Sequence, residues 1–281
     1  MFSLQHGIWG AISICVVLLA LYFLRKYKVS LKSLLTIACA VAVASELIKI
    51  FSSIDIVSSL DETKSYPYMK MQHLPLHLCS LQILFIFYVR FAKESARRDT
   101  VLAFMYPTCL VGAVFALALP SIFTGTVPSV PLEKAFVYPL AYQYFFFHAM
   151  LIVLGIYIPL SGDVKIKHTH CFTTMGILGL LAIVTLYINS MFAYPVYEAG
   201  KLIAVEYVPN FFFTYETPIG IALTESGIGI CISLYYWRWQ PFSAWCFIFP
   251  ISSRNTNVEN KKNNKRNGRI TVRFSFRLLN F

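Results

Sequence analysis

His73, His77 and Cys79 lie in the stretch MQHLPLHLCS, residues 71–80, directly before the apolar run LQILFIFYV. A cysteine with imidazoles nearby has the chemistry of a nucleophile and its base. The thiolate attacks, and a ring nitrogen takes the thiol proton. His148, in YQYFFFHAM, is a further imidazole inside apolar sequence. Glu46, Asn189, Asn210 and Glu225 add carboxylates and carboxamides in or beside other apolar runs. Hydrocarbon is a poor solvent for such groups. An ionised one costs about 2.5–3.5 kcal/mol on insertion scales and faces a bundle interior or a wet cavity.

The elements that must position these residues are membrane helices. Of 281 residues, 57% are hydrophobic and 13% charged, where soluble domains carry about 25% charged residues. The apolar runs reach the roughly 20 residues that a bilayer crossing needs. The expected fold is therefore all-α, a polytopic bundle of seven transmembrane helices over residues 1–240. The expected spans are Gly7–Leu24, Ser33–Phe51, His73–Val89, Thr100–Leu119, Phe136–Leu160, Cys171–Phe192 and Pro218–Trp237. The leader MFSLQH has no Lys or Arg, so the first run reads as a span and not as a cleaved signal. Residues 241–281 read as a basic, disordered cytoplasmic tail.

The net charge of +11 would suit nucleic acid, but its placement points elsewhere. Residues 251–281 hold eight basic side chains against one acid, Glu259, and the others mostly flank apolar runs. The expected partners are membrane lipids and not nucleic acid. Nothing in the sequence sets an oligomeric state. Arg25, Lys26, Lys28 and Lys32 fall in one loop, Arg90, Lys93, Arg97 and Arg98 two loops later, and Lys165 and Lys167 two loops after that. The positive-inside rule then places the N-terminus outside the cell membrane and the tail in the cytoplasm. The seven cysteines show neither a disulfide framework nor a CxxC zinc spacing.

In that topology the polar residues share a depth. Glu46 falls in the outer half of its span. His77 and Cys79 sit on the order of 10 Å below the outer surface, and His148 roughly 18 Å below it. Asn189 and Glu225 lie near the outer ends of their spans, and Asn210 just above. Each alone reads equally as an interhelical hydrogen bond. Together they suggest one cavity in the outer half. The loop Tyr194–Pro218, rich in Tyr and Phe, reads as an interfacial aromatic belt or as a lid over that cavity.

SLQHG with His6, SELIKI with Glu46, LPLHLC from Leu74 to Cys79, His148, Asn189 and VPNFFFTYETP resemble the YwaF-like integral membrane proteins. The resemblance covers about residues 3–240. That family is similar to the transmembrane protein 164 type of phospholipid acyltransferase. The resemblance implies a seven-span fold and a cysteine nucleophile within a Pro-Cys-His motif. Pro75 and His77 match the motif, Leu76 stands where its cysteine would be, and Cys79 follows three residues later.

Two functions suit these residues. The first is a lipid acyltransferase or hydrolase with Cys79 as nucleophile and His148 as base. On a regular helix His77 is turned about 200° from Cys79, so His77 is assigned to orient substrate or stabilise charge. His73 and His77, four apart, would share one face. Glu46, Asn189, Asn210 and Glu225 would bind substrate. The second is a binding or transport protein that uses the same cavity, with Cys79 a small packing residue. Internal repeats and broken half-helices, common in transporters, are not apparent. His73, His77, Cys79 and His148 are of types that suit Zn²⁺, but His73 lies near the surface. No metal and no cofactor is expected.

Overall fold

The computed structural model describes residues 3–58, 65–119, 122, 130–164, 166–167, 169–198, 201–207 and 210–213. Six α-helices carry most of them: α1 Leu4–Lys26, α2 Leu31–Ser53, α3 Leu78–Phe91, α4 Ala96–Ala118, α5 Pro139–Leu160 and α6 Thr169–Met191. Serines start three of them. The Ser3, Ser30 and Ser95 hydroxyls accept from the N–H groups of His6, Ser33 and Arg98, satisfying donors that a helix end leaves open. Pro139 opens α5, where its missing N–H costs nothing.

Five helices, all but α3, are long and apolar enough to cross a membrane. Each has 22 or 23 residues, about 33–35 Å at 1.5 Å per residue, against a hydrocarbon core of about 30 Å. Leu18, Ile37, Leu84, Leu180 and Ile183 are exposed. An apolar exposed face of this kind is what lipid covers. The described chain is thus a mostly helical, multipass membrane protein. The expected segments match these helices to within four residues at either end, with α3 as the exception. The seventh expected span, Pro218–Trp237, and the tail 241–281 lie outside the described residues.

The third segment, expected at His73–Val89, is helical only from Leu78 to Phe91. Its 14 residues cover about 21 Å, short of a crossing. Pro75 is the reason. A residue before proline is pushed out of the helical region, and Leu74 has φ −56°, ψ 140°. Met71–His73 forms a separate 3-10 turn, and His77 is the extended cap residue of α3 at φ −69°, ψ 149°. His73 and His77 therefore do not share a helix face, and the helical argument for separating His77 from Cys79 does not hold.

Two antiparallel hairpins project beyond the helices. Strand β1 (Asp55–Ser58) pairs with β2 (Ser65–Tyr68), and β3 (Ala193–Glu198) with β4 (Lys201–Tyr207). The second replaces much of what the sequence alone reads as an aromatic loop.

Helix α5 is the centre of the bundle, packed against α1, α2 and α4. It is buried on most faces, as a helix apolar all round should be. Helix α4 also meets α3 and α6. Gly155 sets the spacing of α4 and α5: a Cβ placed there would stand 2.9 Å from the Leu110 backbone nitrogen. Hydrogen bonds tie the helix ends in an up-and-down order. His6 Nε2–H donates to the Leu117 carbonyl at 2.8 Å, and Trp9 Nε1–H to the Ala135 carbonyl at 3.1 Å. At the opposite end the Tyr157 hydroxyl donates to Val29, and Arg98 Nε–H donates to Val89 at 2.9 Å. The hairpins lie with His6 and Trp9, and the basic loops with Tyr157.

Candidate functional site at the hairpin end of the bundle

Cys79 is the second residue of α3. The first helical bond runs from the Leu81 N–H to the His77 carbonyl at 2.9 Å. The amides of Leu78, Cys79 and Ser80 therefore face out of the helix end. The thiol lies against α4 at Gly112, where a Cβ would stand 3.6 Å from Sγ. Cys109 lies one turn earlier on α4. One turn below Cys79 is Gln82, fully buried. Its Nε2–H donates to Thr108 Oγ1 at 3.0 Å, and Cys109 Sγ–H donates to its Oε1 at 3.3 Å. This α3–α4 polar bridge was not anticipated from the sequence. A single carboxamide inside LQILFIFYV was the available signal.

His148 is buried on α5, its ring 4.4 Å from that of Tyr144, centroid to centroid. Nδ1 lies 2.6 Å from the Tyr144 carbonyl. A carbonyl only accepts, so Nδ1 carries the proton and Nε2 holds the lone pair. His77 is within electrostatic reach of both His148 and Lys49. His73 is buried in its 3-10 turn, within reach of Lys49, Lys70 and Asp55.

Glu46 makes an ion pair with Lys49 at 2.6 Å, one turn apart on α2, with both side chains mostly buried. Lys49, which the sequence reading passed over, is thus the partner of Glu46. Asn189 is fully buried at the end of α6. Its Nδ2–H donates to the Phe211 carbonyl at 3.0 Å, and its Oδ1 accepts the Phe211 N–H at 3.2 Å. The Phe211 ring meets His77 edge to face, with centroids 5.1 Å apart. Asn210 is half-buried at the start of that turn. Glu225 lies outside the described residues.

The structure thus pairs Glu46 with Lys49 and sets Phe211, bonded to Asn189, against His77. Among the described residues no three His, Cys, Asp or Glu side chains are arranged to hold a metal ion. At the basic end, a polar hollow of about 520 Å³ is lined by Lys32 and Arg98 with Glu94, Asp99 and Asp163. Its two hydroxyls, Ser30 and Ser95, are the caps of α2 and α4.

Neither a curated protein nor a solved structure gives a significant match to the sequence. The family model of the TMEM164 family matches residues 1–253, nearly the whole of a chain whose described part is a multipass helical bundle, and the protein belongs to the TMEM164 family.

Proposed function

We propose that this protein is a cysteine-dependent lipid acyltransferase, or lipid hydrolase when water is the acceptor, working at the outer leaflet of the cell membrane. One observation carries this reading. Cys79 sits in the first turn of a helix too short to cross the bilayer, two residues after the cap residue His77, which feels the charge of His148. Non-helical backbone at membrane depth is tolerated where it is buried in protein or lines a water-filled cavity. The segment Leu74–His77 is such backbone.

In the proposed reaction, His148 Nε2 takes the Cys79 proton and the thiolate attacks an ester carbonyl of a phospholipid. A bond forms between Sγ and the acyl carbon. The outward-facing amides at the start of α3 hold the oxyanion. The ester C–O bond breaks, and the leaving lysolipid oxygen takes the proton from His148. A hydroxyl of a second lipid, or water, then gives its proton to His148 and attacks the thioester, restoring the thiol. His77 orients the substrate or stabilises charge. The Glu46–Lys49 pair suits a zwitterionic headgroup, with phosphate at Lys49 and the amine at Glu46. Asn210 and Glu225 complete the binding set. Asn189 joins it once its carboxamide has left Phe211.

The topology belongs to the same proposal. Seven spans follow from the apolar runs, with residues 71–77 completing the third crossing that α3 alone is too short to make, and the hairpin end outside with the basic loops in the cytoplasm follows from the positive-inside rule. The YwaF-like grouping rests on LPLHLC and remains part of this reading.

The test is incubation of purified protein with acyl-labelled phospholipid, followed by hydroxylamine. A hydroxylamine-sensitive label on the wild type that is lost in Cys79→Ala supports the reading. A label that persists in Cys79→Ala rules out this nucleophile. A second reading, a non-enzymatic binding or transport protein for a lipid or small polar ligand, is favoured by the packing of Sγ on Gly112. It predicts saturable binding of phospholipid without any thioester.

A further inference from the structure

All three connections at the basic end of the bundle contribute to the hollow of about 520 Å³. Lys32 comes from the first turn of α2, Glu94 from the α3–α4 connection, Arg98 and Asp99 from the first turn of α4, and Asp163 from the α5–α6 connection. Two cations and three carboxylates therefore face one space. None of the five forms an ion pair among the described residues, where Glu46–Lys49 is the pair present. Arg98 is held in place, because its Nε–H donates to the Val89 carbonyl at 2.9 Å. Its terminal nitrogens make no further bond among the described residues.

Charges of both signs that ring a hollow without meeting suit a guest that carries both. A simple cation there also meets Lys32 and Arg98, and a simple anion also meets the carboxylates. The negative end of the guest suits a phosphate, which Lys binds as a point charge and Arg with two parallel bonds. The positive end suits a primary ammonium, whose three N–H donors match carboxylate acceptors. A quaternary ammonium is recognised by aromatic cages, and the rest of the lining is Ser30, Ser95 and Ala96. The level of the hollow points to the source. Helices long enough to cross the hydrocarbon end in the headgroup layer, and α2 and α4 both begin at this hollow. Tyr27, three residues before Ser30, is exposed, as interfacial tyrosines are. Phe91, three residues before Glu94, is an exposed apolar side chain that acyl chains can cover. We propose that this hollow binds a zwitterion of phosphate and primary ammonium, the headgroup chemistry of an ethanolamine phospholipid, in the leaflet at the basic end. The headgroup then ties the three connections together. The site lies at the opposite end of the bundle from Cys79 and does not depend on the acyl transfer proposed above.

The experiment uses the full-length protein in detergent. It is titrated with phosphatidylethanolamine or with phosphatidylcholine of the same acyl chains, and bound lipid is counted by native mass spectrometry. The wild type is expected to hold the ethanolamine lipid about fivefold more tightly, the worth of one exposed charge contact. Lys32→Gln and Asp163→Asn, both at exposed positions, should each remove most of that preference. Lys93→Gln makes the same charge change as Lys32→Gln at an exposed position outside the lining, and it should keep the preference. A further arm adds water-soluble phosphoethanolamine. Displacement of the lipid from the wild type supports a site that a free zwitterion also fills, and retention supports a site for membrane lipid alone. Equal retention of the two lipids by the wild type overturns the proposal. So does a preference that survives in both Lys32→Gln and Asp163→Asn, or one that is lost equally in Lys93→Gln. A protein that transfers no acyl group gives the same results, so failure here and failure of the enzyme reading are separate outcomes.

Discussion

Gly155→Ala is expected to destabilise the bundle at its largest interface. A Cβ at this position would lie 2.9 Å from the Leu110 nitrogen, 3.0 Å from the Leu110 Cβ and 3.0 Å from the Tyr106 carbonyl oxygen. Ordinary contacts begin at 3.4 Å. None of the three atoms sits on a rotatable side-chain end, so relief requires α4 and α5 to part by roughly half an ångström. Overpacking of this kind costs about 1–3 kcal/mol. Alanine returns up to about 1 kcal/mol through its helix propensity, so that after the full gain the net loss is about 0–2 kcal/mol, with the close backbone contacts favouring the upper part of that range. Gly176→Ala is the control, because nothing lies within 4 Å of its would-be Cβ and only the propensity gain applies. The difference between the two variants isolates the steric cost. The assay is the midpoint for loss of monodisperse protein after heating in detergent, read by size-exclusion chromatography. Gly155→Ala should fall below wild type, and Gly176→Ala should equal or exceed it. Equal midpoints for the two variants would refute the account of α4–α5 packing.

Gln82→Leu keeps the volume of a fully buried side chain and removes its bonds to Thr108 and Cys109. Interhelical bonds in membranes average about 0.6 kcal/mol and reach about 1.7, so a loss of about 1 kcal/mol is expected in the same heating assay. Ser95→Ala removes the cap of α4 at an exposed end and should cost about 1 kcal/mol. For topology, cysteines are introduced at two exposed positions, Tyr66 in β2 and Lys93 between α3 and α4. In intact cells a membrane-impermeant maleimide should label Tyr66→Cys and spare Lys93→Cys. The opposite pattern would reverse the orientation and move the proposed site to the inner leaflet.

Composition and apolar run length were enough to identify a multipass helical protein. Membrane helices satisfy their own backbone hydrogen bonds, so a run of sufficient length is a sufficient signal. The boundaries of the five long helices followed to within four residues, although the serine caps and the proline at their starts were not read as such. Part of the site was legible too, because a thiol, two imidazoles and a carboxylate are conspicuous in hydrocarbon-compatible sequence. What depended on tertiary structure was the relation among them. Pro75 was visible, but that the helix begins only at Leu78, with His77 as an extended cap, was not. Lys49 and Gln82 gained significance only from their neighbours, Glu46 with the histidines and Thr108 with Cys109. Asn189, expected from the sequence to bind substrate, is joined by two hydrogen bonds to Phe211, more than twenty residues away. Hydropathy and spacing are local properties, and they place each polar group on a helix and at a depth. Which group faces which is set by helix rotation and by close approaches such as those at Gly155 and Gly112, and these depend on the packing of the whole bundle.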